Sequence, residues 1–183
     1  IVMIQIGHND GGYIKAANGR PDLPGLGEET ETVTRPDGTS EVVHTFGWYA
    51  RKWLADVRAK GATPIIMSQT VYNRWTDGKY PRRLGNIYQW MKQTAESEKV
   101  LFLDHTNLIT DRYEQLGQEG VKPFFAADQL HTTTFGAIVN AELCVAGIKG
   151  LDFKPLVAAL NEKGRAIGPA TPTVPVVAAT AGR

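Results

Sequence analysis

The sequence predicts an α/β fold built on a mostly parallel sheet. Three observations carry that prediction. Residues 1–6, 64–67 and 100–104 are short apolar runs without alternation, the character of strands buried on both faces. Stretches with helical spacing of apolar residues lie over 45–60, 86–98, 106–116 and 134–148. Strand and helix therefore alternate along the chain, as they do when parallel strands are joined by crossover helices.

Bulk properties agree with a single globular domain. The 183 residues can bury a real core, with 42% hydrophobic and 21% charged residues. A net charge of +1 argues against a dedicated nucleic-acid or membrane-surface binder. No apolar run reaches the roughly 18 residues that span a bilayer. Cys144 is the sole cysteine, so neither an internal disulfide nor a cysteine metal cluster is available.

In chain order, residues 1–6 read as a buried parallel strand that starts at residue 1, with no basic, small-residue leader before it. The expectation is a chain trimmed inside a core strand. The polar turn Gly7-His8-Asn9-Asp10-Gly11-Gly12 ends it. Residues 18–31, rich in Pro, Gly and acidic side chains, read as a surface loop. Residues 32–34 and 41–43 flank Pro36-Asp37-Gly38, a small hairpin. Thr45 caps a helix to about Lys60, stopped by Gly61. Trp48, Trp53 and Trp90 fall at helical spacing and are expected in the core. The strand at 64–67 leads into a loop over 71–80, a helix over 86–98 and the strand at 100–104. A helix over 106–116 is closed by Gly117, and one over 134–148 ends at Gly150. Residues 1–167 form the domain, and 168–183, mostly Pro, Ala, Thr and Val, read as a mobile tail.

Ligands of open parallel sheets sit beyond the carboxyl ends of the strands. Two motifs stand there. In Gly7-His8-Asn9-Asp10, Asn9 can aim its amide at a developing oxyanion, or serve only as a turn residue. In Asp128-Gln129-Leu130-His131, the carboxylate can hold the imidazole Nδ1–H and leave Nε2 as a general base. The alternative is a polar loop leading into the next helix. No histidine pair has metal-ligand spacing, and no metal is expected.

Taken in this order, the motifs resemble those of the SGNH (GDSL) hydrolase family, and most closely its rhamnogalacturonan acetylesterase branch. Gly7-His8-Asn9-Asp10-Gly11-Gly12 is similar to the family's third block and Asp128-Gln129-Leu130-His131-Thr132 to its fifth. Residues 43–49, 60–65, 73–75 and 136–142 also look like this branch, and the likeness extends to about Leu151. The resemblance implies a three-layer α/β/α, flavodoxin-like sheet and a carbohydrate O-acetylesterase acting on a plant polysaccharide such as rhamnogalacturonan. It implies Asp128 and His131 as catalytic residues, Asn9 in the oxyanion hole and no cofactor. An acetylated polysaccharide or oligosaccharide is the implied partner, with neither nucleic acid nor membrane. A secreted or periplasmic enzyme, monomeric when intact, follows from the same likeness.

One departure is large. The family's Gly-Asp-Ser block, which carries the nucleophile, and its oxyanion-hole Gly have no counterpart here. The serines are Ser40, Ser68 and Ser97, and none stands in a Gly-Asp-Ser setting. Two βα units of about 30 residues each would hold what is missing. The chain as given is therefore expected to be inactive and to lack the first βα units of the fold. Alternatives are an SGNH esterase or lipase for other acyl esters, and a non-catalytic glycan-binding remnant. Arg74 and Trp75 are candidate substrate contacts, since Arg grips a carboxylate bidentately and Trp stacks on sugar rings. Equally, Trp75 can pack back on the core. His44 either borders the site or is a buried, hydrogen-bonded histidine.

Overall fold

In the computed structural model the chain runs β1 (Val2–Ile4), β2 (Thr30–Thr34), β3 (Ser40–His44), α1 (Phe46–Ala59), β4 (Pro64–Met67), α2 (Gly85–Ser97), β5 (Leu101–Leu103), α3 (His105–Val121), a 3-10 turn at Lys122–Phe124, α4 (Thr134–Gly150), α5 (Lys154–Ala158) and α6 (Glu162–Ala166). The structure describes residues 1–10, 22–35, 37–80 and 85–173. Gly11 and Gly12 of the first turn, the first part of the 18–31 loop, Pro36 of the hairpin and 174–183 of the tail lie outside the described residues.

The fold is α/β with a parallel sheet in the order β1-β4-β5 and helices packed around it. β4 is the middle strand and is buried at all four positions. β1 pairs with it in parallel, Val2 opposite Pro64 and Ile4 opposite Ile66. The buried strand expected over 1–6 is corrected here. It is only three residues long, and Ile1 and Val2 are 49% and 39% exposed. The reason is position: β1 is an edge strand, paired on one side among the described residues.

The chain divides into two compact units, residues 1–69 with 85–102, and residues 70–84 with 103–183. In the first, α1 and α2 pack on each other and on β4. Their core joins Phe46, Ala50 and Leu54 of α1 to Ile66, and to Ile87, Met91 and Ala95 of α2. Thr45 caps α1, its hydroxyl accepting from the Trp48 N–H at 3.1 Å. Trp90 packs against this core as expected and Trp48 is half-buried, but the expectation for Trp53 is corrected: it is 37% exposed because it falls at the margin of the buried stripe of α1. The hairpin forms as an antiparallel pair, β2 with β3, and is longer than the sequence suggests.

In the second unit α3 packs on α4. Tyr113 is fully buried, and its hydroxyl donates to Asn140 Oδ1 at 2.8 Å; burial pushes its phenol up to about 12. His105 is also buried, its Nε2 2.8 Å from the Asn140 carbonyl, and burial lowers its pKa. The helix expected over 106–116 forms: Asp104 caps it, accepting from the Asn107 N–H at 3.2 Å, and Gly117, with non-helical φ 72° and ψ 166°, breaks it from the short helical stretch that follows to Val121. Two short helices, α5 and α6, were not expected. Pro155 opens one, and Asn161 caps the other by accepting from the Gly164 N–H at 2.9 Å. Beyond them, Ala170 N–H donates to the Ala146 carbonyl and Thr173 N–H to Asp111.

Gly136, in the first turn of α4, sits on the Phe124 backbone. A Cβ there would lie 2.2 Å from the Phe124 carbonyl oxygen. Backbone cannot swing aside as a side-chain tip can, so Gly136→Ala should destabilise the protein by about 1–3 kcal/mol. A thermal melt checks this, and an unchanged midpoint would refute the close packing. No helix among the described residues is long and apolar enough to cross a membrane.

Candidate active site

The Asp128–His131 segment is built by local bonds. Phe125 and Thr132 form an antiparallel bridge, and Ala126 N–H donates to the His131 carbonyl at 2.7 Å. Within that closure, Asp128 Oδ1 accepts from the N–H groups of Leu130 (2.9 Å) and His131 (3.0 Å). Its Oδ2 lies 2.6 Å from His131 Nδ1. These bonds hold the Asp128 carboxyl down to about 2, the His131 side chain contributing most, then the backbone N–H groups of His131 and Leu130. An ionised carboxylate only accepts, so Nδ1 carries a proton, and in the neutral imidazole the lone pair is then on Nε2. The His131 side chain is 76% exposed, which leaves that lone pair open to solvent. Thr133 then starts α4, its hydroxyl accepting from the Gly136 N–H at 3.3 Å.

The first unit carries the other motif. Gly7 ends the β1 segment with φ +114°, and a Cβ there would fall 2.3 Å from Ile87 Cγ2 and 2.8 Å from Gln69 Nε2. Both backbone and space therefore demand glycine. The turn that follows closes with Asp10 N–H donating to the Gly7 carbonyl at 3.4 Å. Asn9 is exposed in that turn, and among the described residues no hydrogen bond holds its carboxamide. His8, beside it, is exposed as well.

The remaining candidates are placed as follows. Trp75 is half-buried and meets Tyr80 edge-on, centroids 4.9 Å apart, while its Nε1–H donates to Asn73 Oδ1 at 2.9 Å. It packs back on the core of its own unit. Arg74 is exposed, with its guanidinium 5.2 Å over the Tyr72 ring. His44 ends β3 in the other unit, half-buried and stacked on Trp48 at 3.7 Å, and its buried Nδ1 has no hydrogen-bond partner among the described residues. None of the serines stands at a strand-to-helix elbow. Ser40 is exposed in the hairpin, Ser97 bonds back to the Thr94 carbonyl at 3.1 Å, and Ser68 is fully buried after β4. No cluster of three or more His, Cys, Asp and Glu could hold a metal among the described residues.

The structure adds one pair that the sequence does not flag. Asn73 and Gln129 join the 71–80 loop to the Asp128–His131 turn, through the Asn73 N–H to the Gln129 carbonyl (2.9 Å) and Asn73 Nδ2 to Gln129 Oε1 (2.5 Å). They are 56 residues apart, and although each lies in a block that resembles the family, nothing in the sequence pairs them.

Comparison with known proteins completes the picture. No protein-family profile matches the chain. A rhamnogalacturonan acetylesterase of Emericella nidulans is 36% identical over 142 residues, 77% of this chain and 57% of that protein. The "probable rhamnogalacturonan acetylesterase YesY" of Bacillus subtilis is 25% identical over 143 residues, 75% of this chain and 66% of that protein. The chain thus spans less than two-thirds of the length of either relative. Among solved structures, protein YXIM from Bacillus subtilis matches with a TM-score of 0.53 at 23% identity, over 57% of this chain and 30% of that one, which bears on the fold.

Proposed function

We propose, on the premise that this chain belongs to the rhamnogalacturonan acetylesterase branch of the SGNH hydrolase family, that the protein is a carbohydrate O-acetylesterase. The observation that carries the reading is the 2.6 Å contact from His131 Nδ1 to Asp128 Oδ2, with Nε2 left open. A general base needs a fixed tautomer and an accessible lone pair, and this pair has both.

The reaction then runs as acyl transfer. A serine, supplied by a Gly-Asp-Ser segment that this chain does not contain, attacks the acetyl carbonyl while His131 Nε2 takes its proton. The tetrahedral oxyanion collapses and the sugar oxygen leaves with the proton from Nε2. Water, deprotonated by the same nitrogen, attacks the acyl-serine and releases acetate. Asp128 holds the imidazolium in both halves. The carboxamide of Asn9, held by no hydrogen bond among the described residues, supports a role as oxyanion donor, since a turn asparagine would spend it on its own backbone. Arg74 is proposed to meet the glycan by its exposed guanidinium, whereas Trp75, packed on its own core, supports the loop that carries it. Residues 1–183 alone are proposed to be inactive.

An ester panel tests this. Acetylated pectic oligosaccharide should release acetate far faster than long-chain acyl esters are cleaved. A second reading, an esterase for apolar acyl groups, is favoured by Leu130, Phe135 and Ile138, exposed at 42%, 57% and 52% just beside and after His131 in sequence. Preference for the long-chain esters would establish that reading and remove the first.

The acid side of the pH profile follows from the same bonds. The Asp128 pKa is depressed from 3.8 to about 2, so its ionised form is kept well into acid. What its bonds lend the turn is fully present above 3.8 and is lost as pH falls through about 2. Asp128 should therefore add no limb of its own to the kcat/KM profile above about 3.8, and a carboxylate limb found there would show that its bonds are not made in solution.

A further inference from the structure

We propose that Asn73 is a positioning residue for the Asp128–His131 pair, acting through Gln129. Gln129 lies between the two and has φ +58°, in the left-handed region that residues with a Cβ avoid. Its conformation bends the turn so that the N–H groups of Leu130 and His131 converge on Asp128 Oδ1. Something must hold it there. Its own N–H donates to the Ala126 carbonyl at 3.0 Å, and its carbonyl accepts from the Asn73 N–H at 2.9 Å. Its side-chain oxygen accepts from Asn73 Nδ2 at 2.5 Å. Its amide nitrogen reaches the Ala126 and Ala127 carbonyls only at 3.3 and 3.4 Å.

Asn73 is itself oriented from behind. Trp75 Nε1–H donates to its Oδ1 at 2.9 Å, so the amide nitrogen is the group turned to Gln129. Trp75 is fixed in turn by its edge-on packing against buried Tyr80. The line Tyr80, Trp75, Asn73, Gln129 thus runs from the core of this unit to the middle of the turn. A substrate contact would not need both ends of the Asn73 carboxamide satisfied by protein.

The proposal rests on the esterase reading only in its kinetic part. On the full chain, the Asp128 carboxyl is followed by carbon NMR through an acid titration. In Asn73→Ala its midpoint should rise from about 2 toward the ordinary 3.8, by about half a unit or more. In the serine-bearing enzyme the same variant should lose about tenfold or more in kcat with KM nearly constant, as displaced catalytic groups do. Gln129→Ala removes the same bond from its exposed end, and the double variant should be no worse than either single one. Asn73→Asp should restore most of the rate, because its oxygens still accept from the indole and from a turned-over Gln129 amide.

An unmoved Asp128 titration overturns the proposal, as does additivity of the two alanine variants. A raised KM with intact kcat also overturns it and makes Asn73 a substrate contact. If the serine-bearing enzyme cleaves no ester at all, the proposed function fails, while the carboxyl titration still decides the role of Asn73.

Discussion

His131→Ala, in the enzyme that carries its serine, should lower kcat by about 10⁴-fold or more while KM changes little. Removing the base of a serine triad leaves only what oxyanion stabilisation and binding supply, and the loss is of that order in enzymes of this kind. Stability gives the contrast. The His131 side chain is 76% exposed, and Asp128 keeps its two backbone N–H bonds when the imidazole is gone. The melting midpoint should therefore move little, as for most surface substitutions. Asp128→Asn should fall below wild type through the tautomer, because an amide in place of Oδ2 no longer demands a proton on Nδ1. Near-normal turnover in His131→Ala would mean that another histidine is the base, and His8 or His44 would be examined next.

Asn9→Ala should lower kcat by roughly 100- to 1000-fold, the scale set by loss of one oxyanion donor. Such a donor acts mainly when charge appears on the carbonyl oxygen, so KM should barely respond. The side chain is exposed and holds no bond among the described residues, so the melting midpoint should also stay near that of wild type. A turn role predicts the reverse, a loss of about 1 kcal/mol in stability with kcat intact. Measuring kcat and midpoint on one variant separates the two.

Much of this architecture is legible in the sequence because its signals are local. The apolar run at 64–67 is the buried middle strand, Thr45 caps α1, and Asp128 with His131 close into one turn only three residues apart. What escapes the sequence depends on neighbours distant in the chain. An apolar run such as 1–6 looks buried whether its strand is central or at an edge. Gly117 does stop the helix as expected, but nothing local announces the second helical stretch that follows to Val121, whose side chain is buried in the core of this unit. α5 and α6 are five residues each, too short for periodicity to register. The stack of His44 on Trp48 likewise follows from no motif.

The Asn73–Gln129 bridge has a kinetic side. It spans 56 residues, whereas the bonds inside the Asp128–His131 turn span two or three. Contacts that close long loops bear more chain entropy and form later than those that close short ones. The carboxylate and imidazole can thus meet early in folding, in a turn still free to wander, and become fixed only when the 71–80 loop arrives. On heating the order reverses: amide exchange at the Asn73 N–H should quicken before exchange at the His131 N–H does, so the turn slackens while its hydrogen bonds are still made.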